Sequence, residues 1–308
     1  MVKAKKLSPT QPPSPSDQLD LRTGQSIELL KSLHILTREG KINQDSRRKL
    51  KQVKHLFQFI EKPLKEMLTQ RLAHGNTAPI TLADHGAGKS YLGFMIHDLF
   101  FKPQQLVHGR SVGQVIGIET RPDLVAASQQ LAKQLGFAEG MQFVNASVSQ
   151  AATDESLPEQ IDMVTALHAC DTATDDAIAF GLAKLAGFMA LVPCCQAELA
   201  RSLNHHKALN LQRTPLAELW RHPLHTREMG SQLTNVLRCL YLESQGYKVT
   251  VTELVGWEHS MKNELILAQY TGQKKKSAAD RLQALLEEFG LKDIQALRYP
   301  LLSLETEQ

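Results

Sequence analysis

Two hydrophobic periods divide this chain. Between residues 26 and 73 apolar positions recur every three or four: Ile27, Leu29, Leu30, Leu33, Ile35 and Leu36 before Gly40, then Leu50, Val53, Leu56, Phe57, Ile60, Leu64, Met67 and Leu68. That spacing predicts a helical element over 25–75 with one apolar stripe, which we expect to pack on a sheet's edge. From Ile80 the pattern changes. Short apolar runs at 80–84, 115–119, 141–147, 161–168 and 187–193 alternate with helical segments, among them 91–101 and one that begins near Pro122 and stops at Gly136. Such alternation predicts βαβ units, a parallel sheet and right-handed crossovers. A helix over 231–247 and two more strands, 248–254 and 265–270, follow, with an insert rich in His and Arg at 201–230.

Ligands of an open parallel sheet collect at the carboxyl ends of its strands. In this order those ends carry Asp84, Glu119, Asn145, His168-Ala169-Cys170-Asp171 and Pro193-Cys194-Cys195-Gln196. The first end runs on into Asp84-His85-Gly86-Ala87-Gly88-Lys89-Ser90, a strand–turn–helix junction whose two glycines admit positive φ and leave room for a ligand. Two ligands suit it. A phosphate would fit a G-x-x-x-x-G-K-[ST] loop, but Ala83 stands where the first glycine belongs, and Asp84 would repel an anion. S-adenosylmethionine carries no phosphate and tolerates the acid. Glu119, 35 residues after Asp84, is placed to accept hydrogen bonds from two ribose hydroxyls.

Three further stretches carry a resemblance. Leu167-His168-Ala169-Cys170-Asp171-Thr172-Ala173-Thr174-Asp175, Val192-Pro193-Cys194-Cys195-Gln196 and Glu258-His259-Ser260-Met261-Lys262-Asn263-Glu264-Leu265, together with the glycine turn, resemble one branch of the class I S-adenosylmethionine-dependent methyltransferases. The branch has GAGKGYL-like, LHACGxATD-like and PCC motifs, and is similar to tRNA ribose methyltransferases. The resemblance spans about residues 55–270. It implies an α/β fold, a Rossmann-like class I methyltransferase sheet that is mostly parallel with an antiparallel C-terminal hairpin. It implies donor binding by Asp84, Gly86, Gly88, Glu119, Asn145 and Ala146. The acceptor pocket would draw on Cys170, Pro193, Cys194, Cys195, Gln196, His259 and Lys262, with His168 and Asp171 orienting or deprotonating the acceptor. The chain departs from the tRNA enzymes in having Gln196 where they have His, and in lacking their cysteine-rich zinc modules.

Composition narrows the class. At 308 residues, 42% apolar and 22% charged, the chain has globular proportions and room for one domain plus an appendage. No apolar run approaches the roughly 18 residues a bilayer span needs, and the start has no hydrophobic signal core. Four cysteines, Cys194 and Cys195 adjacent, make no disulfide framework, so a cytoplasmic protein is expected. Cys194 and Cys195 could join His205 and His206 on zinc, or one could act as a nucleophile. As small buried groups they would floor the pocket, and no structural metal is expected. His85, beside the glycine turn, is a second candidate base.

Charge is uneven. Residues 1–60 hold twelve Lys or Arg against five Asp or Glu, while the whole chain is only +3. Arg47, Arg48, Lys49, Lys51 and Lys54 form a dense face that suits phosphate contact, or a solvated helix face. The expected organisation is a disordered basic tail over 1–24, the helical element over 25–75, the methyltransferase domain over 76–272, and a linker with one helix over 273–308. The expected acceptor is RNA, tRNA or rRNA. A protein or small-molecule acceptor and a non-catalytic donor-binding scaffold are the alternatives.

Overall fold

The computed structural model describes residues 21–22, 24–169, 171–193, 197–206, 215–254 and 264–301. The expected tail therefore lies almost entirely outside the described residues.

The chain begins with α1 (Ile27–Ser32) and the long α2 (Gln44–Ala73). It continues with β1 (Ile80–His85), α3 (Tyr91–Ile96), a π turn (His97–Phe101), α4 (Lys102–His108), β2 (Gly113–Glu119), α5 (Pro122–Gln134), β3 (Met141–Asn145) and α6 (Val148–Thr153). Then come β4 (Met163–Ala169), α7 (Ala173–Ala183), β5 (Phe188–Pro193), α8 (Glu198–His206), a 3-10 turn (Pro215–Trp220) and α9 (Pro223–Ser244). The hairpin β6 (Tyr247–Glu253) and β7 (Glu264–Tyr270) and the helices α10 (Lys276–Glu288) and α11 (Lys292–Arg298) close the chain. The helix expected over 91–101 runs on to His108. The π turn just before Pro103 loosens the hydrogen-bond ladder where proline has no N–H to give. Among the described residues of the expected insert, most are helical, and two helices stand where one C-terminal helix was expected.

The seven strands lie in the order β3-β2-β1-β4-β5-β7-β6, with β7 antiparallel to both β5 and β6. This is the mostly parallel Rossmann-like sheet with its antiparallel hairpin. Both faces are covered, and the period-2 alternation of the strands shows it. Leu82, Phe188, Ala190 and Val192 face a core shared with α1, α2 and α3, whereas Ala83, Met189 and Leu191 face one shared with α7, α8, α9 and α10. The N-terminal helices thus cover a face of the sheet, not its edge as expected. Leu56, Phe57, Ile60 and Leu64 are fully buried there.

The direction of α2 matters for the site. Its last turn is tied to the amino ends of the strands, since Arg71 pairs with Asp162 just before β4 and donates to the carbonyl of Ala78. Its first turn lies at the opposite end. Ser46 donates to the carbonyl of His34, and Tyr91, which opens α3, donates to that of Leu33. No helix among the described residues is long and apolar enough to cross a membrane.

If α2 belongs to the domain's core, Phe57→Ala should cost about 3–5 kcal/mol. Urea unfolding should stay a single transition moved to lower denaturant. An early separate transition with an unshifted main one would show that α2 folds apart from the sheet.

Candidate functional site

Strand order reverses between β1 and β4, whose neighbours β2 and β5 lie on opposite sides, so a crevice opens at their carboxyl ends. The turn after β1 has left-handed backbone at Gly86 (φ 63°), Gly88 (φ 55°) and the non-glycine Ser90 (φ 49°). Asp84 holds it. Its carboxylate is 2% exposed and accepts from Thr165 Oγ1 on β4 (2.9 Å) and from Ser90 Oγ (3.3 Å). Burial raises its pKa to about 6, offset in part by Thr165, the Gly93 N–H and Ser90. Asp84 therefore ties β1, β4 and the start of α3 together, and its oxygens face protein donors rather than the crevice. Gly93 makes room for this knot: a Cβ there would lie 2.5 Å from Ser90 Oγ.

Glu119 ends β2. Its Oε2 accepts from the Gly88 N–H at 2.7 Å, which joins the second strand's acid to the glycine turn. Arg121 also grips it, through its backbone N–H (3.0 Å), Nε (3.1 Å) and Nη2 (3.3 Å). Burial would raise this carboxyl, but the Arg121 and Gly88 hydrogen bonds outweigh it and hold the pKa at about 2. The carboxylate expected to meet two ribose hydroxyls is thus covered by a guanidinium whose own side chain is 62% exposed. Asn145 reaches back from β3 and donates to the carbonyls of Glu119 and Thr120, and the Ala146 N–H also donates to Glu119 O. All six expected donor-site residues lie on this rim or directly beneath it.

At the end of β4 the register shifts between Leu167 and Ala169, leaving His168 as the extra residue of a bulge. Asp171 has left-handed backbone (φ 53°). Its Oδ1 accepts from the N–H groups of Ala197 and Glu198 (2.8 and 3.0 Å), and its Oδ2 from Arg201 (2.9 Å). Burial would raise its pKa, but those donors outweigh burial and hold it below the ordinary carboxylate value. Asp171 thus caps the start of α8 and is a poor base. Pro193 is buried at the end of β5, opposite Ala169. Cys170, Cys194, Cys195, Gln196, His259 and Lys262 lie outside the described residues. Cys239 is described, and burial pushes its thiol up to about 12.

Of the basic cluster, Arg47, Arg48 and Lys51 are exposed and Lys54 half-buried on the first turns of α2, which also carry Lys49. Arg48 pairs with Asp45. The cluster sits at the same end of the sheet as the glycine turn, by way of the Ser46–His34 and Tyr91–Leu33 contacts.

Four residues escaped the sequence reading: Arg121, Ser90, Thr165 and Arg238, which is fully buried on α9 and paired with Asp175. Arg121 two residues beyond an acid at a strand end carried a local signal. Ser90 meets Asp84 six residues back across the turn, whereas Thr165 and Arg238 find their partners only through the sheet and the helices packed on it.

His85 is a separate case. It is 5% exposed, its ring lies 6.3 Å from that of Phe180 on α7, and neither ring nitrogen has a hydrogen-bond partner among the described residues. Burial draws its pKa from 6.5 down to about 4, against a small upward pull from Glu119.

The region from residue 48 to residue 202, just over half of the chain, matches the family described as a methyltransferase domain, and the chain belongs to that family. No curated protein sequence matches it. Among solved structures it is similar to fibrillarin of Aeropyrum pernix with bound S-adenosylmethionine, at 11% identity over 61% of this chain and 66% of that one, TM-score 0.38. It is also similar to the magnesium protoporphyrin IX methyltransferase of Synechocystis with bound SAH (14%, 80% and 96%, TM-score 0.37). A third is an rRNA methylase of Streptococcus thermophilus (12%, 62% and 87%, TM-score 0.36). Overlaps this partial identify no acceptor.

The buried His85 sets a pH dependence. Its folded pKa lies below its unfolded one, so the unfolded chain binds more protons between pH 6.5 and about 4. Stability is complete above 6.5 and falls as the pH drops through that window. His97, also near 4, adds to the loss, whereas Asp84, near 6 when folded, opposes it. Comparing His85→Leu with the parent isolates one group. Relative to its parent the variant should gain on the order of 3 kcal/mol between pH 8 and pH 4 in urea unfolding. An equal difference at both pH values would mean that His85 already carries a proton or has a partner.

Proposed function

We propose that this chain transfers a methyl group from S-adenosylmethionine to RNA. The observation that supports the donor is the 2.7 Å bond from the Gly88 N–H to Glu119, made where the strand order reverses. In a phosphate loop the turn's N–H groups would face an anion from solution, whereas here one already faces a protein carboxylate. The space fits a ligand. A Cβ built on Gly86 would meet no atom within 4 Å, and one on Gly88 would meet Arg121 Nη2 at 3.7 Å.

When bound, S-adenosylmethionine supplies an electrophilic methyl group on a sulfonium. Asp84, Gly86 and Gly88 fix the turn, Glu119 takes the ribose hydroxyls once Arg121 swings aside, and Asn145 and Ala146 close the third strand's end. The residues around β4 and β5 then align the acceptor, which can supply most of the rate in an in-line displacement. Asp171 contributes by holding the α8 start. His168, the extra residue of the bulge at the end of β4, is the candidate to take a proton from the acceptor. The RNA assignment is supported by the basic first turns of α2, which lie at the same end of the sheet as the glycine turn. A cytoplasmic location agrees with a sequence whose four cysteines, two of them adjacent, make no disulfide framework.

Tritiated donor incubated with the protein and a lysate lacking it should label the RNA fraction. Label in protein or small molecules would redirect the acceptor, and donor binding with no label anywhere would make the chain a scaffold. Replacing Arg47, Arg48 and Lys51 with Gln should weaken RNA binding and flatten its salt slope by roughly 0.7 per lost contact, with donor affinity unmoved.

The Arg121 clamp gives a second check. Arg121→Ala frees Glu119 from an exposed partner, so donor affinity by calorimetry should rise a few-fold, the scale of a surface ion pair of about 0.2–1 kcal/mol. A large loss of affinity would show instead that Arg121 contacts the donor.

A further inference from the structure

Three connections join elements at the carboxyl end of the sheet: β4 to α7, β5 to α8 and β6 to β7. Their described borders all lead to one side chain. Arg238, on α9, is fully buried. Its Nε donates to Asp175 Oδ1 at 2.9 Å and its Nη2 to the other oxygen of that carboxylate, in the first turn of α7. Nη2 also donates to the backbone carbonyl of Asp171 at 2.8 Å, and Nη1 to Asn235 Oδ1 at 3.0 Å. Asn235 in turn donates to Glu264, the first residue of β7, at 2.6 Å. Asp171 caps Ala197 and Glu198, which follow the β5 loop. The borders of all three loops are therefore within two hydrogen bonds of one guanidinium. From below, Tyr299 donates to Asp175 Oδ1, and Arg298 pairs with Glu198.

Stability alone is a weak reason for this arrangement. Desolvating two charges costs much of what their attraction returns, and well-packed apolar side chains do as well or better. A buried polar network whose members are satisfied does fix one geometry among near alternatives. Asp171 sits in left-handed backbone that a residue with a Cβ avoids, and the Arg238 bond to its carbonyl helps to hold it there.

We propose that Arg238 is a positioning residue for methyl transfer: it sets the mutual placement of Asp171, the Ala197–Glu198 helix start and Glu264 at the carboxyl end of the sheet. This rests on the methyltransferase reading above.

The test separates placement from stability. The double variant Arg238→Met, Asp175→Leu removes both charges and keeps the core filled. It should unfold near the parent's temperature and bind S-adenosylmethionine within about threefold by calorimetry. Amide exchange at Thr172, Ala197 and Glu198 should quicken, and kcat for tritium transfer into total RNA should fall about 10- to 100-fold, the scale of a small misplacement. Should the double variant not fold, Asn235→Ala breaks the path from Arg238 to Glu264 while keeping the Arg238–Asp175 pair, and faster exchange at Glu264 and Leu265 is then expected. Unchanged exchange in a folded variant, or an unchanged kcat beside faster exchange, overturns the proposal. If the parent itself labels no RNA, the acceptor reading fails, and the exchange data still decide whether Arg238 places the three borders.

Discussion

The site depends on a carboxylate that no solvent reaches. Asp84 is held by Thr165 from the neighbouring strand and by Ser90 and the Gly93 N–H from the helix that follows. A buried acid left unpaired would be costly, so these donors are obligatory. They fix where the chain turns between β1 and α3, and hence the positive-φ glycines and the N–H that meets Glu119. Asp84 is in this sense the floor of the site.

The three acids at the strand ends show how environment assigns roles to one chemistry. Asp84, closed off from water, is pushed up to about 6. Glu119, gripped by Arg121 and the glycine turn, is held at about 2. Asp171, accepting from a helix start and Arg201, is also lowered and so stays charged without being basic. The first builds the turn, the second offers a carboxylate at the crevice, and the third ties the end of β4 to the start of α8. None of the three is arranged as a proton acceptor near neutral pH, which agrees with a displacement that draws its rate from alignment.

The helical N-terminal element is part of the same machine. The apolar stripe of α2 completes one core layer, and its direction carries the basic first turns to the ligand end of the sheet. The family match begins at residue 48, inside this helix, in keeping with one continuous unit.

Much of this was legible in the chain because it is local. The change of hydrophobic period at Ile80, the glycine turn, and the acids closing the first two strands fix the βαβ order, and the strands form within a residue or two of their expected bounds. What the tertiary structure decided is which groups those residues meet. Nothing near Asp84 in sequence says that Thr165 will lie beside it, since that follows from β1 pairing with β4. Nothing near Asp171 says that its carboxylate caps a helix 26 residues on. The direction of α2, which puts the basic run at residues 47–54 at the same end of the sheet as the glycine turn, was likewise not written in the run itself. Periodicity and turn chemistry act within a few residues, so the sequence determined the elements and their order. Hydrogen-bond partners, burial and pKa depend on atoms brought together from distant segments, and only the fold assigns those.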